Sequence, residues 1–212
     1  MKTKILKHRV PKRILIGVLL VLFCFTSKAQ IWENVHFNVD WQMNMPLNSN
    51  FADKFSEWGM NFEGKYDLTP YWSIGAFLNF HTNHRYMDRR TIPLTPTASL
   101  TTDQQQSAFQ LPFGISVSYK LPDNRYVKPY FGVKSGAMYS QNSIYNNLVQ
   151  WYERPWGFYV SPELGMDIHP VPYQRLGFHV AVYYSYATNK TDILTYSEDG
   201  RNSMGVRVGV CF

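Results

Sequence analysis

The run Phe80-His81-Thr82-Asn83-His84 holds two imidazoles, a hydroxyl and an amide. A histidine beside a hydroxyl is the raw material of a nucleophile and its base. In an extended segment, however, adjacent side chains point to opposite faces, so His81 and Thr82 diverge. His81 therefore reads as an interior histidine near a loop. His81, His84 and the distant His179 lack the short ligand spacing of a metal site. Asp40, Glu63, Glu163 and Asp167 could serve as catalytic carboxylates, but internal ion pairs explain them at lower cost. No glycine-rich phosphate loop follows a strand and opens a helix. The expectation is a chain that is not an enzyme, with no cofactor and no metal.

Two further sets of residues stand out. Glu63, Lys65, Lys128, Lys134, Glu163, Asp167 and Arg207 mix both signs on the polar faces of their segments. Buried singly, each would be costly, so the expectation is one internal ion-pair network. The second set lies in polar stretches: Arg85, Arg89 and Arg90 in 83–106, and Tyr145, Trp151, Tyr152, Arg154 and Trp156 in 141–156. Three roles are open to such residues: binding hot spots for protein or glycan partners, packing on each other, or contact with anionic lipopolysaccharide at the membrane rim.

The elements that position these residues are strands. Period-2 alternation recurs eight times, near 35–46, 56–66, 71–82, 108–120, 126–140, 157–168, 175–187 and 203–212. Prolines at 112, 129 and 162 interrupt donors without interrupting the alternation, and a local bulge could absorb each. Connections alternate in length. Those near 47–55, 83–106, 141–156 and 188–202 are long, and the others are short. Long loops on one side and short turns on the other mark a membrane barrel with even strand number.

The first 29 residues stand apart. Six basic residues between Lys2 and Arg13 precede the apolar run Ile14–Phe25 and the small-x-small site Ser27-Lys28-Ala29. This predicts a secretory signal peptide, with residues 30–212 forming the barrel domain. The formal charge of +6 belongs to the leader, which carries seven of the 21 Lys and Arg. The remainder holds 14 basic and 15 acidic residues, which gives no reason to expect a nucleic-acid partner. Cys211 alone follows the leader, so no internal disulfide framework is expected.

Side-chain volume decides which face looks outward. The apolar face is dominated by Trp, Phe, Tyr, Met, Leu and Ile, and an eight-stranded interior cannot enclose them. They must face lipid. The opposite face is rich in Gly, Ser and Asn, which fits a narrow, filled interior without a wide channel. Tyr66, Trp72, Tyr119 and Phe212 fall near one rim. Trp58, Phe80, Tyr139, Phe158 and Tyr184 fall near the other, as two aromatic girdles would.

The segments Leu68–Gly75, Leu111–Tyr119, Lys128–Gly132 and Pro162–Gly165, with the terminal Phe212, carry a resemblance. The chain resembles the small eight-stranded outer-membrane barrel superfamily. That superfamily includes the outer membrane protein A transmembrane domain, the opacity proteins and the outer membrane protein W family. It looks most like the barrel-domain proteins of Bacteroides and relatives. The resemblance implies an all-β, antiparallel, up-and-down barrel in a Gram-negative outer membrane, with both termini periplasmic. It implies contact with outer-membrane lipids and lipopolysaccharide, and recognition of Phe212 by the barrel-assembly machinery. The function expected is structural or surface interaction through extracellular loops. A channel for small or hydrophobic solutes is the alternative, and a lipid-modifying enzyme the third. The His81 run resembles the His-x-Ser-Asn element of lipid A deacylases, but its hydroxyl sits one residue too early.

Overall fold

Among the described residues, nine antiparallel strands build one hydrogen-bonded sheet that closes on itself. The computed structural model describes residues 34–47, 49–95, 97–122, 126–146, 149–171, 174–193 and 196–212. The expected leader, 1–29, lies outside the described residues. The strands are β1 (Val35–Leu47), β2 (Gly59–Asp67), β3 (Trp72–Thr95), β4 (Ala98–Lys120), β5 (Val127–Asn146), β6 (Val149–Glu153), β7 (Trp156–Ile168), β8 (Gly177–Ile193) and β9 (Tyr196–Cys211). The ring order is β1-β2-β3-β4-β5-β7-β8-β9 and back to β1, eight strands in all. The short β6 pairs with β5 alone, above the β5–β7 ladder. Phe37 and Phe212 exchange backbone hydrogen bonds of 2.7 and 2.9 Å at the β1–β9 seam, and their rings stack.

The faces sort as volume demanded. On β3, Trp72, Ile74, Ala76 and Leu78 are exposed, while Ser73, Phe77, Asn79 and His81 are buried. On β8, Phe178, Val182, Tyr184 and Tyr186 face out, while His179, Ala181, Tyr183 and Ser185 face in. An exposed apolar band and a buried polar interior invert the soluble pattern, and only lipid outside makes that arrangement favourable. Among the described residues no helix is long and apolar enough to cross a membrane. The crossing is made by strands.

The structure corrects the strand lengths. Three of the four long loops are mostly strand. β3 runs 24 residues, where about 9–11 suffice to cross a bilayer. At about 3.3 Å per residue it is roughly 80 Å long, so more than half stands clear of the apolar band. The segments 141–156 and 188–202 likewise continue the ladders of β5, β8 and β9 and add β6. Strand β2 begins at Gly59 rather than 56, where Ser56 makes only an isolated bridge to Asn44.

The prolines need no bulge. Pro112 pairs with Met138 and Pro129 with Met166 inside ladders of constant register. On the β8 side, pairing passes over Ser161 and Pro162 and resumes in the same register. Tyr184, the residue opposite Pro162 in that register, loses a backbone donor there. The Ser161 hydroxyl supplies one, donating to the Tyr184 carbonyl at 2.8 Å.

Candidate functional site

The interior is a charge network at mid-barrel. Lys134 Nζ lies 3.0 Å from Glu63 Oε2 and 3.0 Å from Glu163 Oε2, as ion pairs, and donates to Asn61 Oδ1 at 3.2 Å. Lys65 Nζ stands 3.5 Å from Glu63 and 4.1 Å above the Tyr130 ring. The Arg207 guanidinium pairs with Glu163, donates to Gln42 Oε1 at 2.9 Å and stacks over Tyr183. The Tyr130 hydroxyl donates to Glu163 at 3.1 Å and meets His179 Nε2 at 2.7 Å. His179 Nδ1 in turn lies 2.6 Å from Asp40, which accepts from Asn61 at 2.6 Å. All of these groups are buried. Glu63 and Glu163 face the cations Lys65, Lys134 and Arg207, while Asp40 pairs with His179, so charge is opposed by charge throughout the network and most of it cancels. Cancellation is what allows so many charges away from water.

Of the seven residues singled out from sequence, five meet in this network. Asp167 is half-buried nearer the rim, and its pairing partner on β5, Lys128, is exposed. Lys128 is therefore corrected from interior to rim. Alternation assigned it the right parity, but at a strand end an inward-facing lysine reaches water. Sequence reasoning left Tyr130, His179, Asn61 and Gln42 out of the network. Their signal was present as inward parity on already recognised strands. His81 bridges Gln42 at 3.2 Å and Gln110 at 3.0 Å inside the barrel, while Thr82 faces the other way. The run therefore holds no nucleophile–base pair.

Above the network, the wall changes. Phe77, Met138, Tyr159 and Ala187 form an apolar layer. Higher still, Phe51 and Ala52, both at 0% exposure, pack against Ala108, Ile144 and Ile193, flanked by Trp151 and Tyr196. The connection 47–55 was expected to be an external loop. It folds inward instead, because an apolar pair in a polar segment finds an apolar pocket between the rising strands. Its backbone is tied on both sides. Glu198 of β9 accepts from Ser49 Oγ and from the backbone N–H groups of Asn50 and Phe51. Arg201 donates to Ser49 Oγ and the Phe51 carbonyl. Burial lowers the pKa of Arg201, and Glu198 opposes that shift. From β3, Arg85 donates to the Asn50 carbonyl and pairs with Asp53 at 3.1 Å. The segment therefore stoppers the gap that β1 and β2, both short, leave between β9 and β3.

The eight loop residues singled out do not form one surface. Arg85 holds the stopper, and Trp151 flanks the upper core. Trp156 is 62% exposed, but it packs on Tyr139 and edge-on to Phe113 at the top of the apolar band, as a girdle residue. Arg89, Arg90, Tyr145, Tyr152 and Arg154 remain exposed on the hairpins, with Arg154 lying over the Tyr152 ring at 4.9 Å. Beside the stopper, a groove of about 550 Å³ is lined by Lys54, Phe55, Trp58, His84, Arg85 and Tyr86.

With a closed ring, an apolar exterior and a charged interior in place, comparison with known proteins becomes decisive. The family model described as "Outer membrane protein beta-barrel domain" matches residues 16–212. The chain belongs to this family. As an outer-membrane barrel, it sits with both termini on the periplasmic side and its extended hairpins outside the cell. Among solved structures, Neisserial surface protein A is 15% identical, covering 84% of this chain and 96% of that one, with a TM-score of 0.50. Ail of Yersinia pestis is 13% identical over 84% and 97%, at a TM-score of 0.43. The N-terminal barrel domain of Pseudomonas aeruginosa OprF is 12% identical over 84% and 98%, at 0.40. These likenesses concern the fold alone. No curated protein matches the chain.

Proposed function

We propose that this chain, freed of its leader, is an up-and-down surface barrel that does not conduct, and that its extracellular hairpins carry an interaction role. The observation behind this reading is the double obstruction of the interior. A neutralised ion-pair network fills mid-barrel, and the Phe51–Ala52 stopper fills the upper mouth. A wall that rises well beyond the bilayer around a sealed core serves display better than passage. The exposed Tyr145, Tyr152 and Arg154 on the β5–β6 hairpin, with Arg89 and Arg90 on β3, supply amphipathic contact groups for a protein or glycan ligand. The girdles and the charged groups above them suit contact with outer-membrane lipids and lipopolysaccharide. The exposed Phe212, paired with Phe37 at the β1–β9 seam, suits an assembly signal.

Planar-bilayer recording of the refolded barrel tests the first half of the reading. The expected result is silence from the parent chain. Steady single-channel events that change when Glu163 or Lys134 is neutralised would overturn it. Glycan and protein arrays test the second half. Binding that disappears in a Tyr145→Ser, Tyr152→Ser, Arg154→Ser triple variant supports the hairpin role. Binding that the triple variant leaves intact places the role elsewhere.

A further inference from the structure

The groove beside the stopper opens where the lipid band ends. On β3 the outward residues run Ile74, Ala76, Leu78 and Phe80, then change to Thr82, His84 and Tyr86. Beside them, Phe62, Met60 and Trp58 close the band. The groove lies directly above this line, between residues 54–58 and residues 84–86 of β3. It is tied to the band, because lipid-facing Trp41 of β1 donates its indole N–H to the Glu57 carbonyl. Its volume of about 550 Å³ falls within the roughly 300–1,000 Å³ of small-ligand clefts.

Its lining joins exposed rings to unused polar groups. Phe55, Trp58 and Tyr86 are each more than half exposed. Bonds from Ser56 to the Thr82 carbonyl and from Asn83 to the Lys54 carbonyl hold Phe55 above the band, where water faces it at a cost. Among the described residues the side chains of Lys54, Glu57 and His84 make no hydrogen bond or ion pair. Arg85, by contrast, is engaged with Asn50 and Asp53. This mixture selects the ligand. A hydrocarbon would cover Lys54 and Glu57 without pairing them. A phosphate would meet Lys54 but also the Glu57 carboxylate, whose like charge opposes it. A sugar ring suits the whole set. Its C–H face packs on an aromatic ring, and its hydroxyls can donate to Glu57 while accepting from Lys54 or His84.

We propose that this groove binds a sugar unit of the lipopolysaccharide in the surrounding leaflet, with Trp58 as the platform and Glu57 and Lys54 reading the hydroxyl edge. The proposal rests on the reading of the girdle region as a lipopolysaccharide contact. It names the place and the part of the molecule that is recognised. The source follows from height. The groove begins where the apolar band stops, and the saccharides of the same leaflet are held at that level at high effective concentration.

The probe is the soluble core oligosaccharide released from lipopolysaccharide. Barrels isotope-labelled at tryptophan, refolded into phospholipid nanodiscs, are titrated with it by NMR. The Trp58 indole signal, assigned by its loss in Trp58→Phe, should shift and saturate. Glu57→Ala and Lys54→Ala change side chains that hold nothing else in the fold. Each should weaken binding by about tenfold or more, the loss of one charge-assisted hydrogen bond. Inorganic phosphate should not displace the oligosaccharide. No shift in the parent, equal binding by both variants, or displacement by phosphate would overturn the proposal. Native mass spectrometry from nanodiscs that contain lipopolysaccharide separates the groove from the broader reading. Retention of the lipid by parent and variants alike, without a Trp58 shift, removes the groove and keeps the lipid contact. A parent that retains none removes both.

Discussion

Between Trp72 and Leu78, strand β3 shows lipid one face and a packed polar interior the other. Between Asn83 and Arg90 the same strand shows water one face, with His84 and Asp88 exposed, and a mixed core the other, with Asn83 and Met87 buried. The backbone ladder to β4 runs through both regions, with a register shift only between Met87 and Arg90 and another near the tip. What changes is the solvent outside. The lower half gains by placing apolar groups outward and must neutralise charges inward. The upper half behaves as an ordinary soluble sheet with a small apolar core. One strand therefore carries two hydrophobic logics, joined near the outer girdle.

The strongest test of this division breaks the lower half. Lys134→Met removes the cation between two buried carboxylates. Leaving a buried charge unpaired costs about 3–5 kcal/mol. The urea midpoint of refolding into lipid should fall accordingly, and the upper core should unfold with the barrel. Adding Glu163→Gln should not recover the parent stability, because Glu63 remains opposite the vacated site and Arg207 then loses its partner. A midpoint unchanged in Lys134→Met would mean that water fills the interior.

Phe51→Ala breaks the upper half. Full burial of a phenylalanine puts the cost at about 3 kcal/mol or more, but it should be local. Limited proteolysis should cut within 49–58, while the urea midpoint of the barrel stays near the parent value. If both probes shift together, the two halves are one cooperative unit and the division is wrong. Glu198→Gln attacks the same segment more gently. It removes the charge from three hydrogen bonds, worth about 2 kcal/mol in total once the amide retains some of them. Faster amide exchange at Asn50 and Phe51 is the readout.

The same division explains what was legible in the sequence. Lipid contact imposes alternation, so the eight ring strands, their faces and the inward position of Glu63, Lys65, Lys134, Glu163 and Arg207 could all be read. Above the girdle, Gln104 and Gln106 face in and Gln105 and Asp103 face out. Polar residues on both sides erase the period, and the ladder became invisible although its hydrogen bonds persist. Partnerships were legible only as parity. Nothing local to Asp40 or His179 says that they touch, because 139 residues separate them and only barrel closure brings them together. The stopper had a weak signal in the adjacent apolar pair Phe51-Ala52, but its anchors Glu198 and Arg201 lie at the far end of the chain.

The smallest effect concerns a single hydroxyl in the lower half. Pro162 sits on β7, a strand paired on both sides, where a missing backbone donor has no water to replace it. Ser161 Oγ meets the Tyr184 carbonyl that Pro162 leaves unserved. Ser161 is inward and fully buried, so Ser161→Ala removes this donor without creating lipid contact. One neutral hydrogen bond to a buried carbonyl is worth about 1 kcal/mol. The double variant Ser161→Ala, Pro162→Ala restores a backbone donor at 162 and should regain most of the loss. A fully stable Ser161→Ala single variant would mean that the carbonyl finds another donor. Non-recovery in the double variant would mean that the β7–β8 ladder cannot close even with its donor returned. The pair of variants therefore separates a local repair from a built-in break in the wall.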